Sequence, residues 1–89
     1  MTKAEKLRRR ILSSPTPSDI TNQELKTFLE QLGLEEISMG KTSGSRIRFV
    51  NPHNKSEQIR LHKAHGSTPV DRGALKATIA QLKEMGFLD

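Results

Sequence analysis

Arg46-Ile47-Arg48-Phe49-Val50 and Gln58-Ile59-Arg60-Leu61-His62 decide how this chain is read. Both alternate polar and apolar residues, the period-two pattern of a strand with one buried face and one wet face. Ile47, Phe49, Ile59 and Leu61 then face a core, while Arg46, Arg48, Arg60 and His62 share the opposite face. The run Asn51 to Glu57 between them is rich in turn-forming residues and is expected to be a loop. A hairpin symmetric about that loop sets Arg48 opposite Arg60 and Arg46 opposite His62. Like charges opposed across a ladder are unfavourable. The pattern therefore points to an anionic ligand, phosphate first among them. The competing reading is a solvated face whose charges discourage aggregation.

Working upstream, Gly40-Lys41-Thr42-Ser43-Gly44 turns the chain into the first of these strands. Its glycines and hydroxyls suit phosphate contact through backbone N–H groups or simply a hairpin turn. The glycine spacing does not match a nucleotide-binding P-loop, which also requires a helix to follow. Leu34 to Met39 alternates loosely and reads as a further strand. Before it, Thr21-Asn22-Gln23-Glu24 has the form of a capping box. Leu25, Phe28, Leu29 and Leu32 follow at helical spacing as a core stripe, and Gly33 supplies a left-handed stop. Ser13-Ser14-Pro15-Thr16-Pro17-Ser18 reads as a semi-rigid linker. Thr2 opens a first helix in which Ala4, Leu7 and Ile11 form a thin apolar stripe among Lys3, Lys6, Arg8, Arg9 and Arg10. That helix is either a basic arm for phosphate or an acidic partner, or an ordinary exposed face.

Downstream, Lys63 to Val70 reads as a loop, and Asp71 caps a last helix built on Leu75, Ile79 and Leu82, ended by Gly86. The expected organisation is a basic helix and linker over 1–18 and a main domain over 19–89. The order of elements matches an α+β, double-stranded-RNA-binding-domain-like α-β-β-β-α sandwich with an extra N-terminal helix. One sheet face is then left open.

Composition narrows the function classes. The chain has 89 residues, a formal charge of +5, three histidines and no cysteine. Its pI is about 10.0. A domain of this size buries one modest core, so an open surface site is expected in place of a deep pocket. The basic balance favours a polyanion or an acidic protein as partner. Disulfide scaffolds and thiolate metal sites are excluded. No apolar run is long enough for a membrane span or a signal-peptide core, so a soluble, cytoplasmic protein without membrane contact is expected.

From Ile20 to Leu88 the chain resembles the HicA-family toxins of bacterial toxin–antitoxin modules. Asp19-Ile20-Thr21 before the Glu24-Leu25 helix is similar to the family's opening, as is Leu32-Gly33-Leu34 at the helix end. Gly44-Ser45-Arg46 followed by Phe49 is similar to its glycine turn and strand. Ile59 through His65 and on to Leu75 is similar to its histidine-ended strand and leucine-led helix. The resemblance implies a metal-independent endoribonuclease that cuts mRNA, needs no small-molecule cofactor and is neutralised by a HicB-type antitoxin. It also carries a departure, because Arg46 stands where the family has its catalytic histidine. Arginine stays protonated and cannot act as a base, but it can bind phosphate and stabilise developing charge. RNA cleavage without a metal needs a group that titrates near neutrality. His62 is then the first candidate and His65, at the family's second histidine position, the next, with His53 as a weaker third. A His62-x-x-His65 metal site lacks a third ligand at suitable spacing. Lys41, Ser45, Arg46, Arg48, Arg60 and Lys63 make up the expected RNA-binding set. Two other readings stay open: a non-catalytic nucleic-acid-binding module of the same fold, and a protein-interaction domain for an acidic partner.

Overall fold

Three helices lie on one side of a three-stranded antiparallel sheet in the order β1-β2-β3. The computed structural model describes residues 2–38, 46–62 and 66–88, apart from the side chains of Ser38, Arg46 and His62. The elements are α1 (Lys3–Ile11), α2 (Asn22–Gln31), β1 (Glu35–Ser38), β2 (Arg46–Asn51), β3 (Asn54–His62) and α3 (Arg72–Glu84). This is the α+β class that the alternation and the helical stripes imply. Ile47, Phe49 and Ile59 form one buried cluster with Leu25, Phe28 and Leu29 of α2 and Leu75 and Leu82 of α3. Leu61 shares their parity but is only half-buried against that cluster.

The helix ends follow local chemistry. Thr21 and Glu24 complete the capping box: the Glu24 N–H donates to Thr21 Oγ1 at 3.1 Å, and the Thr21 N–H donates to Glu24 Oε1 at 3.0 Å. At α1 the Glu5 N–H donates to Thr2 Oγ1, and at α3 the Ala74 N–H donates to Asp71 Oδ2. Gly33 takes φ +100°, a region closed to most side chains. Its N–H reaches Glu30 O while the Leu34 N–H reaches Leu29 O, the paired bonds of a Schellman stop.

The β2–β3 hairpin is tighter than the sequence implies. The expected loop over Asn51 to Glu57 is largely strand: β2 runs through Asn51, β3 starts at Asn54, and only Pro52 and His53 turn. Val50 pairs with Gln58, but Asn51 pairs with Asn54, so the register shifts between Val50 and Asn51. Side chains replace the lost ladder bonds. The His53 N–H donates to Asn51 Oδ1, the Ser56 N–H to Asn54 Oδ1, and Asn51 Nδ2 to Glu57 Oε1. These Asx-type bonds let Asn and Asp substitute for backbone partners in a turn.

Helix α1 belongs to the same core. Ile11 is fully buried in the central cluster and Leu7 packs against it. Arg10 forms ion pairs with Glu24 and Asp19, and its Nη2 also donates to Asp19 O. The arginines of α1 therefore divide: Arg10, though exposed, is tied to Glu24 and Asp19, while Arg8 and Arg9 form no ion pair among the described residues.

Two outcomes follow. Ile11→Ala should lower unfolding stability by about 2–4 kcal/mol, the range for truncating a buried aliphatic side chain, measured by urea denaturation. An effect near zero would show that α1 is not packed. The Glu24 carboxyl is held below its ordinary pKa, first by the Thr21 N–H and then by the Arg10 guanidinium, against some opposing desolvation. Its stabilising contribution is complete above the unfolded carboxyl pKa, about 4.3, and is lost as pH falls through the lower folded value. Glu24→Gln should therefore melt a few degrees lower than the parent at pH 7. The gap should close as the solution is acidified through that range; a gap constant with pH would contradict the carboxylate's role.

Candidate nucleic-acid interface

The ladder between β2 and β3 pairs Arg46 with His62, Ile47 with Leu61, Arg48 with Arg60 and Phe49 with Ile59. This is the symmetric register expected from the alternation. Ile47, Phe49 and Ile59 are buried under the helices, so Arg48 and Arg60 take the other parity. Arg46 and His62 occupy ladder positions of that same parity, and their side chains lie outside those described.

Across the sheet this outer face carries Glu35 and Ile37 from β1, which pair with Val50 and Arg48. Ile37 is 40% exposed. Arg60 is exposed and forms no ion pair among the described residues. Arg48 is half-buried, and its Nη1 donates to Gln58 Oε1 at 3.0 Å, diagonally across the ladder from the Arg60 position. That bond draws one guanidinium along the strands, which eases the like-charge pairing. Val50 has the outer parity yet is 2% exposed and stands apart from the main cluster, so the face is not wet along its whole length.

The remaining expected residues separate. Lys41, Ser45, Lys63 and His65 lie outside the described residues. His53 sits in the turn, at the opposite end of the hairpin from the Arg46–His62 pair. Five strand residues at 3.3–3.4 Å each put it roughly 17 Å away, too far to share chemistry with His62. Among the described residues, no three His, Asp or Glu side chains come together in a way that could hold a metal ion. The three phenylalanines are also elsewhere: Phe28 and Phe49 are buried, and Phe87 packs against the core. Among the described residues the outer face thus carries the guanidinium groups of Arg48 and Arg60 and no phenylalanine.

A feature with no sequence signature anchors the end of β3. After His62 the chain passes to Gly66, whose carbonyl accepts the Gln23 N–H at 3.1 Å. Thr68 O accepts both the Asn22 N–H and Asn22 Nδ2, and the Val70 N–H donates to Ile20 O. The loop carbonyls occupy the donors that the start of α2 would otherwise offer to an anion. Beside this clamp, a groove of about 430 Å³ runs between β3, α2 and α3, with Arg60 and Leu61 on one side and Asp71 and Gln81 on the other.

Comparison of the chain with models of protein families, with curated proteins and with solved structures returned no match.

The clamp makes a measurable claim. First-turn amides of an exposed helix exchange quickly, but Asn22 and Gln23 are bonded to the loop. Their amide hydrogens should exchange at least about tenfold more slowly than those of an uncapped first turn. Exchange at the rate of the exposed Lys3 region would mean that the loop does not close on α2.

Proposed function

We propose that this protein is a HicA-like, RNA-directed domain of the double-stranded-RNA-binding-domain type. Its activity is cleavage of mRNA, and its regulator is a HicB-type antitoxin in the cytoplasm. The observation that supports the reading is the ladder: Arg46 opposes His62 and Arg48 opposes Arg60, on the parity away from the helices. RNA lies along this face with its phosphates on the arginines. The His62 imidazole, of a type that titrates near neutrality, takes the 2′-hydroxyl proton as the 2′-oxygen attacks phosphorus. The P–O5′ bond breaks, the 5′-oxygen takes a proton from water, and a 2′,3′-cyclic phosphate remains. The fixed positive charge of Arg46 stabilises the extra charge on the phosphoryl oxygens during that step.

One observation favours a second reading. Arg46 holds the position that resembles the family's catalytic histidine, and a guanidinium cannot accept a proton. With no base at that position, the same face acts as a non-catalytic RNA-binding module.

Cleavage of a single-stranded mRNA fragment by the purified protein, without antitoxin, separates the two. In the first reading His62→Ala loses activity by about a hundredfold or more, the usual scale for a general base, with RNA affinity little changed. If His62→Ala cuts as fast as the parent, His62 is not the base and His65→Ala is the next variant. A parent that binds but never cuts leaves the binding module. Arg60→Ala should weaken binding to every RNA sequence alike and reduce the salt slope by about one. RNA affinity independent of salt would remove the phosphate face from both readings.

A further inference from the structure

We propose that the groove between α1 and α3 is a docking site for an acidic, amphipathic segment of a partner protein. The groove has a volume of about 420 Å³ and no lining residue from the sheet, so the inference does not rest on the RNA reading. Its floor is apolar, formed by Leu12, Ile79 and Leu88, and its rim is cationic, formed by Arg8, Lys76 and Lys83. Ser13, Ser14 and Thr16 of the linker also line it. Among the described residues no carboxylate lines it, and none of the three cations has an ion-pair partner.

Simpler accounts cover only part of this arrangement. Arg8 and Lys83 each lie in the last turn of their own helix, where a cation complements the helix dipole. Lys76 lies mid-helix and has no such reason to be there. Leu12 ends α1 at 37% exposure although Ile11 beside it is fully buried. A lone surface leucine needs no explanation, but Leu12 shares one groove with Ile79 and Leu88 between the three cations. A nucleic-acid backbone would use the rim and leave the floor empty. An acidic segment with apolar side chains on one face uses both, with anchors on Leu12 and Ile79 and carboxylates at the rim.

The test uses the full chain and a defined probe. The probe is a fluorescein-labelled, glutamate-rich peptide with leucines at i, i+3, i+4 and i+7, followed by fluorescence anisotropy. Wild type should bind it, and should not bind a peptide with lysine in place of every glutamate. Leu12→Asp and the combined R8E, K76E and K83E variant should each weaken binding by about tenfold or more. A charge-matched control, with Lys3, Lys6 and Lys55 changed to Glu, should lose less than about threefold, because exposed charges away from the groove act only through a screened field. All the substituted positions are exposed, and circular dichroism checks that each variant is folded. Oligouridylate binding should be unaffected by Leu12→Asp. The proposal is overturned if wild type does not bind the acidic peptide, or if the control loses as much as the groove variant. It is also overturned if Leu12→Asp weakens oligouridylate and spares the peptide, which would make the groove part of a nucleic-acid surface.

Discussion

The start of a helix leaves four backbone N–H groups without helical acceptors, and at α2 each of the four has a named partner. Thr21 N–H goes to Glu24 Oε1, Asn22 N–H to Thr68 O, Gln23 N–H to Gly66 O and Glu24 N–H to Thr21 Oγ1. Two of these bonds are local and two come from the loop before α3. The Glu24 carboxylate then takes Arg10 from α1. One helix turn therefore joins α1, the loop after β3 and the approach to α3. The two Thr21–Glu24 bonds are part-buried, so removing either partner costs more than the net value of an exposed bond.

The consequence for the sheet is positional. β3 ends at His62, and Lys63, Ala64 and His65 separate it from Gly66, which α2 holds. The C-terminal end of β3 is thus tied at both sides: by the ladder to Arg46 and by the clamp to Gln23. The start of α2, often an anion site in other folds, is already occupied by the Thr68 and Gly66 carbonyls.

What was legible in the sequence is what short-range chemistry dictates. Alternation fixed the parity of Ile47, Phe49 and Ile59, and with it the pairing of Arg48 and Arg60, because one slip would invert every side chain. The Thr21–Glu24 box and Gly33 stop depend on residues within one turn and were readable directly. What was not readable is non-local or competes with a local signal. Arg10 meets Glu24 fourteen residues away, and nothing in the basic run of α1 distinguishes Arg10 from Arg9. The Thr68 and Gly66 carbonyls belong to backbone, which has no sequence signature. The Asn51–Glu57 run read as loop because Asn, Pro and Ser favour turns, yet the same Asn side chains bond the backbone and let pairing resume at Asn54. For the candidate site, the ladder places the Arg46–His62 pair, while Lys41, Ser45, Lys63 and His65 fall in the stretches outside the described residues.

The arginines on the outer face invite the thought that the sheet is strained until a ligand arrives, and magnitudes argue otherwise. Two unit charges about 5 Å apart in water repel by roughly 0.8 kcal/mol, and Gln58 draws Arg48 toward itself. Burying a single side chain such as Phe49 or Ile59 contributes about 1.5–3 kcal/mol. The inner face therefore carries the outer one with ease, and the fold stands without an anion. A polyanion bound on this face would remove a small standing repulsion and release counterions, so the charge pattern would act on affinity and its salt dependence more than on stability. The two faces of the sheet thus answer to different constraints, the inner to packing and the outer to charge.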